Sequence, residues 1–596
     1  MERFFKPVGR WESMLPMVLI VVVVFLAFLP ILNNGVVWDD GMNILDNPDF
    51  RGLSASHLSW MFTTFHDANY HPVCWMSFGL DYVVWGLNPA GYHLTNLMLH
   101  VLNAVLFYCL VVIVLRQTNP HVTIISKPGI QISAFTGTLF WAIHPLRVEN
   151  VAWISARGDV LCCVFYLLAI IAYLKMVQQH DKVDRRKWFL LSLVFFVLSL
   201  LSRAWGMTFP VVLLILDVYP LRRIVWKGRF TSPIKLLLIE KIPFAMFSLS
   251  AGLAAFFAKK AFMMPLTHHS FLGRIVQASY GLYFYVFKTI VPLRLSPLYL
   301  LNKSFNPMEI KYILCVPLVL GITAGLIVMR HRWPWAITAW FCYAVIVSPL
   351  LGIVQTGPQL VADRYTYISC LPFGVLVAAG IFGVRSSMEK GTLSYRGWSI
   401  AIIGSLTCLA LMSVLSSYQT RVWKDMGSFW SQIIRLDPTN PIAYSDRSGF
   451  YKERGDIERA MEDLNTSIRL DPTFIKAFYN RALLRHELND VAGAISDYSQ
   501  VIKLDPKYIE AYNNRGSLFQ KQGNLTSALA DYEMTIRIAP SSPEAYVNRG
   551  IIRQEQNDLK SAIEDFRKAL NVAPAGWTHR GLVEKMLKKA IITEKA

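Results

Sequence analysis

Apolar stretches of roughly 13 to 22 residues recur along the first two thirds of the chain and then stop. Twelve are visible, at about 14–32, 94–115, 131–143, 160–177, 188–202, 205–219, 241–258, 275–292, 311–329, 335–355, 366–384 and 398–417. Crossing a bilayer takes about 20 predominantly apolar residues in a helix. The pattern therefore predicts a multi-pass helical membrane domain over 1–417. Beyond residue 418 the apolar positions recur with a helical period and alternate with polar faces, as in soluble amphipathic helices.

That second region repeats. Leu436-Asp-Pro438, Leu470-Asp-Pro472, Leu504-Asp-Pro506, Ile538-Ala-Pro540 and Val572-Ala-Pro574 fall every 34 residues. Tyr444, Phe478, Tyr512 and Tyr546 keep the same register, as do Ala460, Ala494, Ala528 and Ala562. A small residue where two helices touch, an aromatic at a helix start and a proline after the second helix resemble the tetratricopeptide repeat. Four full repeats are expected over 441–576, after a connecting half-repeat within 418–440 and before a capping helix and tail over 577–596. The expected fold class is thus all-α: a polytopic helix bundle followed by an α-solenoid.

Charge sets a topology. Lys and Arg number 59 against 40 Asp and Glu, a net charge of +19. Residues 418–596 hold 26 against 23, so the membrane region carries 33 against 17, or +16. This surplus is scattered through loops, which argues for membrane orientation rather than nucleic-acid binding. The basic connections are the N-terminus (Arg3, Lys6, Arg10), 178–187, 221–241, 330–332 and 385–396. Placing all of them in the cytoplasm leaves three segments between 241 and 330 where an even number must cross. Segment 275–292 is rich in Tyr and Phe, holds Lys288 and ends in Pro, so it is expected to be interfacial or re-entrant. Eleven crossings then remain. The first, preceded by basic residues, reads as an uncleaved signal anchor, and the repeats fall on the extracytoplasmic side.

The same count gathers the polar loops on that outer face. Loop 33–93 carries Asp39, Asp40, Asp46, Asp49, Asp67 and Asp81 against Arg51 alone. Residues 144–159, 202–206 and 357–366 add further ionisable groups, which at a membrane surface are functional candidates. The eight cysteines all precede residue 418 and include no CxxC pair, so neither a disulfide framework nor a zinc site is indicated. No glycine-rich nucleotide motif appears on a strand–helix unit.

Acids, cations and an apolar bundle together suit glycosyl transfer from a lipid-linked sugar. A carboxylate takes the acceptor's proton, fixed cations stabilise the leaving phosphate, and the lipid tail stays in the bilayer. The stretches WDD (38–40), HPVCWMSFGLDY (71–82), GYHLTNLMLH (91–100), HPLRVENVAWISARGDVL (144–161), SRAWGMTFPVVLLILDVYPLRR (202–223) and ADRYTY (362–367), followed by the repeats, carry a more specific resemblance. Together they resemble the transmembrane and tetratricopeptide-repeat proteins of the GT-C glycosyltransferase superfamily, relatives of protein O-mannosyltransferases. The resemblance implies a polyprenyl- or dolichyl-phosphate sugar donor and a protein hydroxyl acceptor.

By position, the resemblance makes Asp40 the base, with Asp39 supporting it or exchanging roles; solvated turn acids are the alternative. Glu149 orients the acceptor or holds a proton, unless it pairs with Arg147 or Arg157. Arg203 is the expected phosphate ligand, although relatives commonly carry Lys-Pro where this chain has Arg203-Ala204. Arg364 is a second candidate, unless it bridges Asp363. His144, Arg157, Asp159, His71, His93 and Asp363 are supporting candidates. No metal is expected, although oligosaccharyl transferases of the superfamily use a divalent ion at comparable acids, and Asp39 with Asp40 offers a place for one.

In the repeats, position 6 gives Asp446, Asn480, Asn514 and Asn548. A row of amides one repeat apart pairs with an extended acceptor peptide, as in the asparagine ladder of the nucleocytoplasmic N-acetylglucosamine transferase, which this row resembles; solvated asparagines are the alternative. Asn465-Thr-Ser and Asn524-Leu-Thr are potential glycosylation sequons. A non-catalytic membrane scaffold that recruits partners is the rival reading, and it leaves the convergent charges unexplained. A transporter is disfavoured by the lack of similar halves. Compact loops point to a bacterial inner membrane, or to the endoplasmic reticulum membrane if the protein is eukaryotic.

Overall fold

The computed structural model describes residues 10–118, 127–224, 232–260, 270–301, 306–354, 357 and 359–595. Arg3 and Lys6, and Lys227 and Arg229 of the 221–241 connection, lie outside the described residues. Among the described residues, each of the twelve apolar segments is mostly helical. The long helices include Arg10–Phe28, Pro89–Thr118, Arg157–Gln178, Lys182–Ser202, Ser232–Lys259, Phe271–Ile290, Leu371–Glu389 and Tyr395–Thr420. Among the described residues the only strand pairing is the short antiparallel contact of Tyr299–Leu300 with Gln359–Val361. Seven helices are long and apolar enough to cross a membrane, and two shorter apolar ones, Ala204–Val218 and Pro334–Leu350, accompany them. Leu249, Leu320, Val328, Leu406 and Val414 stand exposed on these helices. Such surfaces are incompatible with water over this extent and match hydrocarbon; the protein is a membrane protein.

The Phe271–Ile290 helix is not among those seven. One face, including Val276, Gln277, Phe284 and Tyr285, is buried, while Phe271, Leu272 and Ile290 are exposed.

Loop 33–93 is a folded element. It contains the helices Ala55–Thr63 and Pro72–Trp85. Ile44, Phe50, Met61, Trp75 and Phe78 form a core beneath it with Tyr92, Ile154 and Leu161. Buried polar contacts fix the bundle. His100 contacts Tyr367 Oη at 2.7 Å and the Ala142 carbonyl at 2.9 Å. Trp141 Nε1 donates to the Tyr367 carbonyl at 3.0 Å. Glycine allows one close helix approach: a Cβ on Gly374 would stand 2.9 Å from the Gly137 carbonyl oxygen.

The chain divides into two compact units, Met1–Gln432 and Ile433–Ala596. Val422, Trp423, Phe429 and Trp430 are buried in the first unit, against Trp38 and Trp153. The division falls within the helix Met426–Leu436.

The second unit is a tetratricopeptide solenoid. Its helix pairs start at Pro441, Ile475, Ile509 and Pro543 and are capped by Arg580–Lys595. Ala460, Ala494, Ala528 and Ala562 are fully buried where the helices of a pair meet. The turn inside each repeat requires a left-handed residue, filled by Gly455, Asn489, Gly523 and Asn557 with φ of 61–74°. Each repeat also holds a two-point ion pair: Arg447–Asp463, Arg481–Asp497, Arg515–Asp531 and Arg549–Asp565, with N–O distances of 2.7–3.0 Å. The two sequons belong to the array's own bonding. Ser467 Oγ is turned inward to the Pro441 carbonyl at 2.7 Å, and Asn524 caps its helix by accepting from the Ser527 N–H.

Candidate functional site

Three polar turns of the first unit meet beside loop 33–93: 144–159, 202–206 and 362–366. The turn after Val37 places two adjacent aspartates in different environments. Asp40 is fully buried. Its Oδ1 accepts from Ser155 N (2.8 Å) and Ser155 Oγ (2.6 Å), and its Oδ2 from Val37 N (3.1 Å). It staples the first loop to the 154–156 turn, and burial pushes its carboxyl up to about 7. Asp39 is half-buried, accepts a hydrogen bond from Trp153 Nε1 at 3.1 Å and lines a small cavity. Burial, then the nearby Asp67 charge, push it up to about 6.

The cavity is also lined by Asn43, Asp67, Asn69, His71, Asp159 and Arg203. Trp38, Asp67 and Ala68 around it have left-handed backbones, with φ of 57°, 50° and 53°. Strain of this kind in non-glycine residues collects at functional sites.

Arg203 pairs through Nε with Asp159 Oδ1 at 3.3 Å, and its side chain is 20% exposed. Glycine permits this fit: a Cβ on Gly158 would lie 3.0 Å from the Ser202 carbonyl and 3.4 Å from Arg203 Cδ. Arg203 also lines a second cavity of about 200 Å³ with Asn69, His71 and Lys259 at one end. The rest of that cavity is an apolar trough between Lys182–Ser202 and Ser232–Lys259, walled by Leu200, Leu201, Phe247, Ala251 and Ala254. Arg203, Asn69 and His71 are common to both cavities. Lys259 forms no ion pair among the described residues. His71 is buried with both ring nitrogens unpartnered, and burial pulls it down to about 3, so it is neutral.

The remaining candidates are engaged elsewhere. Glu149 pairs with Arg364, not with Arg147 or Arg157: Oε1 lies 2.5 Å from Arg364 Nη1, and Oε2 accepts from Arg364 N at 2.8 Å. Arg364 thus bridges Glu149 rather than Asp363, with its guanidinium over Trp153 and Tyr365. Asp363 accepts from Tyr299 Oη at 3.1 Å, and its burial drives the carboxyl well up. His144 accepts from Leu146 N and contacts the Thr289 carbonyl at 3.0 Å. Burial pulls it down to about 3, so it is a neutral turn-former. His93 holds the Gly35 carbonyl at 3.2 Å. Arg157 is enclosed, paired with Asp81 at 2.5 Å and bonded to Asn96 Oδ1 and the Tyr92 carbonyl.

No group of three or more His, Cys, Asp and Glu is placed to hold a metal among the described residues. Both Asp40 oxygens already accept protein donors, which leaves only Asp39 of the pair open to the cavity.

Lys259 was not singled out from the sequence. The signal was there: a lysine closing an apolar run at the end predicted to face away from the basic loops.

On the repeat unit, Asn480 donates to Ser445 Oγ (3.3 Å), Asn514 to Tyr479 Oη (3.3 Å) and Asn548 to Asn513 Oδ1 (3.2 Å). Asp446 pairs with Lys476 at 2.6 Å. Part of the bonding capacity of these amides thus ties each repeat to its neighbour.

Bundle and solenoid define a polytopic membrane protein bearing a tetratricopeptide array. Residues 443–474 and 518–588 match tetratricopeptide repeat families, and 483–523 match a TPR repeat family. The chain is similar to protein O-mannosyl-transferases of the TMTC group. It is 32% identical to human TMTC1 over 208 residues, which cover 32% of this chain and 22% of that protein. It is 34% identical to Drosophila melanogaster Tmtc1 over 175 residues, 26% of this chain and 18% of that protein. A Caenorhabditis elegans protein O-mannosyl-transferase is 23% identical over 463 residues, 74% of this chain and 60% of that protein. The chain thus spans about a fifth of the length of the human and fly relatives. The crystal structure of MamA aligns over 24% of this chain and 85% of its own at 25% identity, with a TM-score of 0.24.

Proposed function

We propose that the protein is a membrane glycosyltransferase that moves a mannose-like sugar from a polyprenyl- or dolichyl-phosphate carrier to Ser or Thr hydroxyls of a polypeptide. The observation that carries this reading is the sharing of Arg203 between an apolar trough that ends in cations and a cavity lined by acids. The carrier's tail lies in the trough, and its phosphate meets Arg203 and Lys259. The acceptor enters from the side of Asp39. Its hydroxyl oxygen bonds to the anomeric carbon as the carbon–oxygen bond to phosphate breaks. The electron pair leaves with the lipid phosphate and the hydroxyl proton passes to Asp39.

In this scheme Asp39 is the base and Asp40 the residue that positions it, the exchange of roles that the sequence left open. Neutral His71 and Asn69 are polar groups available to sugar hydroxyls. Glu149 acts at a distance, by holding Arg364. The acceptor chain is recruited by the asparagine row, and the acids, cations and repeats work in the extracytoplasmic compartment.

The test reconstitutes the purified chain with a panel of polyprenyl-phosphate sugars and an acceptor peptide, reading glycopeptide by mass spectrometry. Replacing a fixed donor to a developing charge costs about 10²–10³ in rate. Arg203→Ala is expected to fall by that amount, and Lys259→Ala by less, with both proteins retained in the membrane. Transfer by Arg203→Ala equal to wild type refutes the assignment.

A further inference from the structure

A second interhelical cleft, of about 470 Å³, lies apart from this chemistry. Leu110, Leu216, Ala339, Val375 and Gly380 line it, and most of its surface is apolar. It also follows Tyr166, Ile170 and Leu174 along Arg157–Gln178. At about 1.5 Å per residue these stand roughly 10–22 Å from Asp159, toward the other end of the helix. The trough of the donor cavity is formed by different helices.

The rim of the cleft is basic. Four walls end at Thr118, Pro220, Trp335 and Gly383, and each has an arginine within three residues: Arg116, Arg222, Arg332 and Arg385. Arg385 pairs with Glu389 at 2.9 Å. Arg116, Arg222 and Arg332 are exposed and form no ion pair among the described residues. Trp333 and Trp335, also exposed, stand at the same end, as aromatic residues do at a membrane interface.

We propose that this cleft is a binding site for an anionic phospholipid of the surrounding bilayer, its acyl chain between the helices and its headgroup against Arg116, Arg222 and Arg332. An apolar slot of this size suits one ligand molecule. Cations gathered where the slot meets the interface select the charged headgroup, as basic pockets between membrane helices do. The site is independent of the donor assignment, because it lies at the opposite end of the bundle and shares no residue with the two cavities already described.

The full chain is purified from membranes in mild detergent, and co-purified phospholipids are quantified by class against the membrane they came from. Wild type is expected to retain anionic phospholipid enriched about tenfold or more over phosphatidylcholine or phosphatidylethanolamine, from the summed pull of three cations. Gly380→Leu with Gly383→Leu fills the slot. A Cβ at either position meets nothing within 4 Å, so the double variant is expected to fold and to lose the retained lipid. Arg116→Glu, Arg222→Glu and Arg332→Glu together, all at exposed positions, are expected to erase the preference for anionic headgroups. Enrichment of a zwitterionic lipid or a polyprenyl phosphate in wild type, or retention unchanged by both sets of variants, overturns the proposal.

Discussion

Asp39→Asn is expected to lower glycosyl transfer by about 10²–10⁴, the usual worth of a positioned general base, while leaving the protein folded. Its hydrogen bond from Trp153 Nε1 is one that an asparagine carbonyl oxygen also accepts. Asp40→Asn is expected to do something different. Both Asp40 oxygens face donors, two of them backbone N–H groups, so the new amide nitrogen meets a donor and leaves it unpaired in a buried place. That costs about 1–3 kcal/mol and appears as lost melting temperature and yield before any lost chemistry.

The pH profile separates the two further. Asp39 is pushed up to about 6 by burial, and a base works only when ionised. Transfer by wild type should rise with pH through about 6 and level off above it, and Asp39→Asn should lose that inflection. A full rate from Asp39→Asn, or an unchanged profile, removes the base from this position.

The second large effect is on the fold. Arg157 is fully buried, pairs with Asp81, bonds to Asn96 Oδ1 and the Tyr92 carbonyl, and lies 4.5 Å above the Phe78 ring. Arg157→Met strands the Asp81 charge, and breaking one side of a buried pair costs about 3–5 kcal/mol. Thermal unfolding in detergent should show a large drop in melting temperature. Arg157→Lys should fail nearly as badly, because an ammonium cannot span three acceptors arranged for a planar fork. The pairing is checked by removing both charges: Arg157→Met with Asp81→Leu should recover part of the loss. If the double variant is no better than Arg157→Met, the stability resides in packing rather than in the ion pair.

Much of the architecture was legible because it is periodic. Each apolar segment became a helix, since a chain that long and that apolar has few other ways to satisfy its backbone in a membrane. The 34-residue spacing marked the solenoid, with the buried alanines at the register where two helices must touch. The Arg–Asp pairs inside each repeat were overlooked, although arginine at 447, 481, 515 and 549 and aspartate sixteen residues later are plain once the repeat is aligned.

The site was legible only as a gathering of candidates. Asp39 and Asp40 are neighbours, and nothing in a run of two identical letters says which one faces the cavity. Glu149 and Arg364 lie 215 residues apart, so local spacing suggested the wrong partners for both. Helix Met426–Leu436 reads as part of the soluble region by composition, yet Phe429 and Trp430 are anchored against Trp38 in the membrane unit. An amphipathic helix does not announce which neighbour will cover its apolar side.

The repeat clasps have a mechanical corollary. Inside each repeat a guanidinium grips a carboxylate at two points, and the same arginines reach back: Arg481 to Asn465 at 2.7 Å and Arg515 to Ser499 at 2.9 Å, each in the repeat before. With Lys476–Asp446 at 2.6 Å and the asparagine row at 3.2–3.3 Å, every plate is fastened to its neighbour at several points. Because each contact runs only to the adjoining plate, whole plates can be added or removed without rebuilding the clasps inside the others.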